Sequence, residues 1–299
     1  VDSSDLSLNI SREMLQHDRQ LKAMAKAIEK KIKSELEKMM RTDREAYEKF
    51  FDTFGIQLKY GMYADYGMHK DVLKDLILFH SSGEGNKYLS LKEYVEAMKD
   101  EQKAIYYAAG ESVEKIDMLP QVATVKAKGY EVLYLTDDVD EFALKLLGTY
   151  ADKEFKNVTA EALDLLTDEE KEAEKSKNES SEEMLSFMKD AIGKVSAVKW
   201  NGSLAEHAVC LSSEGDLSME MAKILKKMPG AEMGVPDASV VLEINMNHPI
   251  AEKLTSLYEN DKDKLTKYAK VLYGEACLIG GVAIDDPKEF TALVSELMI

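Results

Sequence analysis

The sequence is poor in cysteine, histidine and proline. Among its 299 residues are two cysteines, five histidines and five prolines. Cys210 and Cys277 are too few for a disulfide framework and lack CxxC spacing, so we expect buried free thiols. The histidines show neither HxxxH nor HExxH spacing, and no metal site is therefore predicted.

Positive charge and long apolar runs are also scarce. The chain has 39 lysines and arginines against 56 aspartates and glutamates, a formal net charge of −17. Because phosphate binding needs clustered positive charge, nucleic acid is not an expected partner. No apolar run approaches the ~18 residues of a membrane-spanning helix, and no apolar leader opens the chain. We expect a cytoplasmic protein without a membrane partner, and the initial Val1 suggests a fragment.

Nucleotide-binding and hydrolase motifs are absent as well. There is no GxxxxGK[ST] phosphate loop and no GxSxG elbow, and the GEG sequence at residues 83–85 lacks the third glycine of a dinucleotide fingerprint. The chain by itself is therefore predicted to hold no nucleotide and to be no enzyme.

The first hundred residues have helical periodicity. Hydrophobic residues, 45% of the chain, recur three and four apart from residue 11 to residue 54. This pattern predicts a long amphipathic helix and a second one that starts near Thr42 and stops at Gly55. A short helix is predicted over residues 71–79, and Ser90 with Glu93 forms a capping box for another.

Strand patterns begin at Ala104. Residues 105–109 and 130–135 are apolar runs separated by a helical stretch interrupted at Pro120. Such a strand, crossover and strand are typical of parallel pairing. With a helix over residues 139–147, they predict a small α/β layer.

Residues 161–190 are strongly acidic, with eleven acidic side chains against four lysines. They predict a solvated connecting segment, helical in part because Thr167 and Glu170 form a capping box. Strands are expected at residues 195–200 and 208–211, joined as a hairpin by Asn201-Gly202, and at 239–244. Helices over residues 261–279 and 286–298 close an α+β fold, the second capped by Asp286.

Several segments resemble a known family. They are LNISREMLQ at 8–16, YVEAM at 94–98, IYYAAGES at 105–112, EVLYLTD at 131–137, EACL at 275–278 and DDP at 285–287. In their order and spacing, over essentially the whole chain, they resemble the heat-shock protein 90 chaperones, closest to the bacterial HtpG type.

The resemblance implies a fragment of an ATP-dependent molecular chaperone, a homodimeric clamp that binds and remodels client proteins. Residues 1–103 would be the helical part of its middle domain and 104–160 a small α/β subdomain. Residues 161–190 would connect these to a C-terminal dimerisation domain at 191–299, which contains a helix bundle. ATP and Mg²⁺ would bind a preceding domain that this chain lacks, and co-chaperones are further implied partners.

The resemblance also assigns roles to Arg12 and Gln16. It implies that Arg12 contacts the γ-phosphate of ATP and that Gln16 supports it. A guanidinium suits this role because it is always charged and offers paired donors to phosphate oxygens. The alternative is an exposed arginine paired with Glu13 or Asp18.

A methionine-containing helix is the candidate client surface. Such helices adapt to varied apolar partners because the thioether side chain repacks easily. Ordinary core packing is the alternative, and the client reading predicts a poorly buried helix. The candidate client residues are Leu217, Met221, Ile224, Leu225 and Met228, with Phe142 and Trp200 as further apolar contacts.

The last two helices carry two apolar stripes. Short helices at a chain end have few neighbours, so we expect both stripes to pair with a second copy in a four-helix bundle. The predicted interface residues are Leu265, Tyr268, Ala269, Leu272, Ala276 and Ile279 in the first stripe and Phe290, Leu293, Val294 and Leu297 in the second.

The alternative to a chaperone fragment is a different function for the whole chain, a self-contained helical scaffold or adaptor without ATP coupling.

Overall fold

The computed structural model describes residues 19–64, 66–160, 165–230 and 234–299. Over these residues it contains helices and two mixed β-sheets, which confirms the predicted α+β class.

The first half of the described chain folds around a six-stranded sheet with the strand order β2-β1-β4-β3-β6-β5. Its elements are α1 (Arg19–Thr42), α2 (Arg44–Tyr63), α3 (Lys70–Leu73), β1 (Leu78–Ser81), β2 (Tyr88–Ser90), α4 (Leu91–Ala97), β3 (Ala104–Ala109), α5 (Val113–Asp117), α6 (Pro120–Ala127), β4 (Val132–Leu135), α7 (Asp140–Leu147), β5 (Thr149–Tyr150) and β6 (Lys153–Asn157).

The central strand β3 lies parallel to β4, as predicted, with Tyr106 opposite Val132. Alternate side chains of β3 enter two different cores. Ile105 and Tyr107 pack in the core beneath α2, α4 and α7, whereas Tyr106 and Ala108 pack in the core beneath α5 and α6. Because both faces are covered, the strand is a continuous apolar run in the sequence.

The prediction of a helix over residues 71–79 is wrong. The helix α3 ends at Leu73, and β1 begins at Leu78 and pairs antiparallel with β2 and β4. The apolar run that includes Ile77 and Phe79 is buried in the core beneath α2, α4 and α7. A short apolar run of this kind does not separate a buried strand from a helix, which explains the error.

Gly55 does not stop α2, which continues to Tyr63. A Cβ atom at Gly55 would lie 2.7 Å from the Phe51 ring, which is buried one turn earlier in the same helix. The glycine therefore serves the packing of the ring rather than the end of the helix.

Gly55→Ala is expected to destabilise the protein by about 1–3 kcal/mol through overpacking against Phe51. The sign of this change in stability is informative, because alanine in a helix interior normally stabilises a protein by about 1 kcal/mol relative to glycine. Gly61→Ala in the same helix is the control, since its Cβ would contact only a Leu73 methyl group, at 3.0 Å. Urea unfolding measures both, and a stabilising Gly55→Ala would contradict the packing role.

A buried ion cluster joins α2 to α7. The Lys59 Nζ lies 2.7 Å from Asp137 Oδ2 and 2.8 Å from Asp140 Oδ1. It also lies over the Phe51 and Phe79 rings, 5.6 and 4.8 Å from their centroids. Burial opposes the charge on Lys59, but Asp140 and Asp137 more than offset it and raise the lysine pKa.

The second half of the described chain packs on a three-stranded sheet with the order β7-β9-β8. Its elements are α8 (Asp168–Ser180), α9 (Glu182–Ile192), β7 (Ala197–Asn201), β8 (Val209–Glu214), α10 (Met219–Lys227), β9 (Ser239–Asn245), α11 (Ile250–Asn260), α12 (Lys262–Ile279) and α13 (Pro287–Leu297).

The hairpin predicted at Asn201-Gly202 is wrong, because β7 pairs parallel with β9, which lies between β7 and β8. The Asn201 side chain makes the local turn itself. Its Oδ1 accepts hydrogen bonds from the backbone amides of Ser203 and Leu204. This side-chain turn leads the chain away from β7 rather than reversing it into a neighbouring strand.

Helices α9 and α11 complete the core of the three-stranded sheet, whereas α8 has no buried residue. The capping box at Thr167 and Glu170 is confirmed at the start of α8. Met184, Leu185 and Met188 of α9 are buried in the core of the three-stranded sheet. The helix α11 was not predicted, although its Leu254 and Leu257 are buried in the same core.

Candidate functional site

The two halves of the described chain meet where α10 begins. Ser218 is the N-cap of α10, and its hydroxyl donates to Glu141 Oε2 of α7 at 2.6 Å. Glu141 Oε1 accepts from Asn157 Nδ2 at 3.0 Å and from the Tyr107 hydroxyl at 3.2 Å. Burial raises the pKa of Glu141, and the hydrogen bond from Ser218 opposes that rise. One buried carboxylate therefore holds the start of α10 on the first sheet.

Surface ion pairs surround this buried contact. The Lys223 Nζ of α10 lies 2.5 Å from Glu111 Oε1, which follows β3. Hydrogen bonds from Lys115 and Lys223 lower the pKa of Glu111 to about 2. Lys145 of α7 donates to the Asp216 carbonyl, which precedes α10. The joint between the halves is therefore polar, in contrast to the apolar core of each.

The candidate client residues on and beside α10 are only partly accessible. Met221 and Ile224 are buried, Leu217 and Leu225 are half-buried, and Met228 is 43% exposed. The expectation of a poorly buried helix is therefore wrong for Met221 and Ile224. Both lie on the side of α10 that faces the protein, so only the C-terminal end of the helix offers apolar surface.

Trp200 does not form apolar surface. Its side chain is 1% exposed and belongs to the core of the three-stranded sheet. The Lys177 Nζ lies 4.8 Å from the centroid of its ring. The structure therefore removes Trp200 from the residues that a client can reach in this conformation.

Phe142 is half-buried and lies beside an exposed apolar surface that the sequence analysis missed. Its ring contacts the Tyr63 ring edge-on, with centroids 5.9 Å apart. Ile56, Tyr60 and Tyr63 follow one face of α2 at helical spacing, which was the available signal. We call the exposed residues Ile56, Tyr60, Tyr63, Tyr66 and Met68 the aromatic surface.

The two predicted dimer stripes differ in burial. Four α12 residues, Leu265, Ala269, Leu272 and Ala276, are buried within this chain, in the core that includes α9 and β8. The expectation that few neighbours cover this stripe is wrong. In contrast, α13 has no buried residue, and Phe290, Leu293, Val294 and Leu297 are half-buried.

The helix α13 is nevertheless fixed in orientation against α12. The Phe290 ring lies directly over Gly274, where a Cβ atom would be 2.4 Å from it. Lys270 forms an ion pair with Glu289 at 2.7 Å, and Lys267 pairs with Glu296. Leu278, Met298 and Ile299 are exposed beside these helices. The outer side of the helix pair is thus an apolar surface with no cover from the described residues of this chain.

The remaining predicted site residues lie elsewhere. Arg12 and Gln16 fall outside the described residues. Among residues 19–64, 66–160, 165–230 and 234–299, no group of three or more acidic, histidine or cysteine side chains could hold a metal ion. No helix in this part of the chain has the length and apolar character needed to cross a membrane. Cys210 and Cys277 are buried free thiols, as predicted.

Comparison with known proteins gives matches that extend over all 299 residues of this chain. The family model described as "Hsp90 protein" matches residues 1–299. "Chaperone protein HtpG" of Clostridium perfringens strain ATCC 13124 and that of Clostridium acetobutylicum are each 54% identical over 299 residues. The protein of the same name from Alkaliphilus metalliredigens is 51% identical. Each match covers 100% of this chain and 47% of the relative, so the chain spans about half the length of these curated relatives.

Proposed function

Because this chain belongs to the Hsp90 family, we propose that it is the middle and C-terminal part of an ATP-driven chaperone of the HtpG type. In the whole protein, ATP turnover in a preceding domain closes a homodimeric clamp around client polypeptides. The family match over all 299 residues is the observation that carries this proposal. Client proteins, co-chaperones and a second copy of the chain are the proposed partners, and the cytoplasm is the proposed compartment.

The proposed division of labour follows the order of the chain. Residues 1–103 and 104–160 act as parts of a middle domain, 161–190 as a connecting segment and 191–299 as a dimerisation domain. The polar joint between α7 and α10 supports this division, because a hydrogen-bonded contact between two separate apolar cores allows the two parts to change orientation. Such motion is what a clamp requires.

We propose that clients bind at Phe142 and at the exposed end of α10. Phe142 lies beside the aromatic surface, and Met228 is exposed at the end of α10. Contiguous exposed apolar residues are uncommon on soluble proteins and typically mark interaction sites. The aromatic side chains provide large apolar area, and the methionine adapts to different partners.

Leu225→Ser combined with Met228→Ser is expected to weaken suppression of client aggregation at least about twofold while the thermal midpoint falls only slightly. This pair leaves the buried Met221 unchanged, so weaker suppression by the double variant cannot be attributed to lost core packing at that residue. Met118→Ser is the matched control, because Met118 is 70% exposed but lies after α5. Equal suppression by the double variant and the wild type, measured by light scattering, would remove α10 from the client surface.

We propose that Arg12 contacts the γ-phosphate of ATP held by the preceding domain and that Gln16 supports it. In the full-length protein, Arg12→Ala is expected to lower kcat for ATP hydrolysis about tenfold or more, because an arginine donates to phosphate oxygens as charge develops. Nucleotide affinity should change much less. Steady-state kinetics and a binding titration separate the two, and an unchanged kcat would refute this role.

The 299-residue chain without the preceding domain is the control for that experiment. We expect it to bind and hydrolyse no ATP, since it has none of the phosphate-binding motifs sought in its sequence. Stoichiometric turnover by the purified chain would contradict this assignment.

A further inference from the structure

The aromatic surface lies on an exposed face of α2 that carries no charge. Charged residues make up 32% of the chain, but the one charged residue between position 53 and the end of this helix, Lys59, is buried. Water-facing helix surfaces are normally rich in charge, so this face is suited to an apolar contact. The exposed side chains in this part of α2 are Thr53, Phe54, Ile56, Gln57, Tyr60 and Tyr63.

A pocket of about 340 Å³ opens beside the first turn of this face. Ile56 belongs to both the aromatic surface and the pocket lining, and Asp52 lines the pocket one helical turn before it. The stacked rings of His80 and Tyr88, with centroids 4.1 Å apart, also line the pocket. Asp52, Ile56 and Tyr60 follow one another at intervals of four residues, so the pocket and the aromatic surface share one face of the helix.

Carboxylates outnumber cations at this pocket. Among the described residues that line it, Lys59 is the only lysine or arginine, and its Nζ already contacts two carboxylates, those of Asp137 and Asp140. Asp52 is exposed and accepts a hydrogen bond from the Tyr88 hydroxyl at 3.1 Å. Burial and this hydrogen bond raise the pKa of Tyr88 to about 12, so the hydroxyl remains a neutral donor. Three carboxylates therefore face one ammonium group, which favours a positively charged group at the mouth of the pocket.

The length of this face fits a short extended peptide. Asp52 and Tyr63 are eleven positions apart, which is about 17 Å along the helix axis. Side chains on one face of an extended chain recur about every 6.7 Å, so three or four of them cover this distance. A basic side chain at the pocket would thus be followed by apolar side chains at every second position.

We propose that the pocket and the aromatic surface together bind an extended client segment in which a basic residue precedes alternating apolar residues. This inference rests on the chaperone function proposed above and adds the class of segment that is recognised. An arginine suits the pocket, because its planar guanidinium stacks on aromatic rings and donates to carboxylates such as that of Asp52. The apolar residues cover Ile56, Tyr60 and Tyr63 and approach Phe142, whose ring contacts Tyr63.

Binding of the fluorescently labelled peptide RSLSFSL to the 299-residue chain tests the proposal. Fluorescence anisotropy is expected to give a Kd of about 1 mM or below. The same peptide with citrulline in place of arginine has nearly the same shape without the charge, and it should bind about threefold more weakly. The peptide RSSSSSS keeps the charge but lacks the apolar side chains, and it should bind at least about tenfold more weakly.

Variants of α2 locate the site. Asp52→Asn should weaken binding of the arginine peptide about threefold and leave the citrulline peptide unchanged. Tyr60→Ser combined with Tyr63→Ser should weaken binding of both peptides at least about fivefold. Ile28→Ser combined with Ile32→Ser is the matched control, because these residues are exposed on α1, outside the aromatic surface, and this variant should bind both peptides as the wild type does.

Near-ultraviolet circular dichroism verifies that the variants fold, and the exposed Asp52→Asn keeps the test decisive if the double tyrosine variant misfolds. No saturable binding to the wild type, equal binding of the arginine and citrulline peptides, or an unchanged Kd in the folded double tyrosine variant would each overturn this inference. The proposed function fails separately, if the wild-type chain does not suppress client aggregation.

Discussion

Leu293→Glu is expected to convert a homodimer, with about twice the 33.6 kDa mass of one chain, into a folded monomer. Leu293 lies in the middle of α13, a helix without a buried residue in the single chain. If two copies pack there around a twofold axis, the glutamate enters the interface twice and faces its own copy. A desolvated, unpaired charge should cost several kcal/mol, roughly 3–5, of association free energy.

Ala292→Glu is the matched control for this interface. Ala292 is exposed on the same helix and lies outside the apolar stripe, so the added charge should leave the dimer intact. Multi-angle light scattering at tens of micromolar distinguishes the two species. A monomeric wild type, or a Leu293→Glu variant that stays dimeric, would show that α13 is not the interface.

The burial of the α12 stripe narrows the proposed interface. Leu265, Ala269, Leu272 and Ala276 already pack within the chain and are unavailable to a second copy. The proposed contact therefore rests on α13, together with the exposed Leu278 and the half-buried Tyr268 and Ile279 of α12. A stable dimer still needs about 1,200 Å² of total buried surface or more.

Lys59→Met is expected to lower the free energy of unfolding by about 3–5 kcal/mol, because it leaves Asp140 and Asp137 without their shared cation. Asp140 is 0% exposed, so water cannot replace the lysine there. Methionine keeps the apolar stem between the Phe51 and Phe79 rings, which limits the change to the charge. Denaturant unfolding at pH 7 measures the loss.

The pH dependence identifies the cause of that loss. Burial raises the pKa of Asp140 to about 6 despite the lysine, from an ordinary value of 3.8. Between these values the native state binds more protons than the unfolded state, so this group makes stability fall as pH rises. Without Lys59 the pKa of Asp140 rises further. The deficit of the variant should therefore shrink as pH falls from 7 to 5, when Asp140 is protonated and neutral.

Lys74→Met is the control for the removal of one lysine charge. Lys74 pairs with Asp71 at 2.7 Å, but the Asp71 side chain is largely exposed. Exposed pairs contribute at most about 1 kcal/mol, so this variant should unfold nearly as the wild type does at both pH values. If Lys59→Met resembles Lys74→Met, or if its deficit grows toward pH 5, the ion cluster is not the source of the effect.

Local sequence signals predicted local structure well. The capping box of Ser90 and Glu93 begins α4, and the one of Thr167 and Glu170 begins α8, because both depend on residues three apart. The buried strand β3 and its parallel partner β4 also followed from their own apolar runs. The family resemblance, carried by short segments along the whole chain, likewise needed no structure.

Segments whose neighbours are distant in sequence were predicted less well. Residues 71–79 contain a strand rather than one helix because β1 pairs with β4, which lies some fifty residues later. The hairpin failed for the same reason, since β9 occupies the position between β7 and β8. The partner of a strand is a property of the whole sheet, and the strand's own residues do not encode it.

The sequence by itself determined which faces of the helices are apolar, and only the tertiary structure decided what covers them. The stripe on α12 and the stripe on α13 have the same helical spacing, yet α9 and β8 bury most of the first within the chain, whereas the second stays half-buried. Likewise, Trp200 is buried in the core whereas Phe142 lies at the surface beside Tyr63. Periodicity records the chemistry of one surface, while burial depends on residues that approach it from elsewhere in the chain.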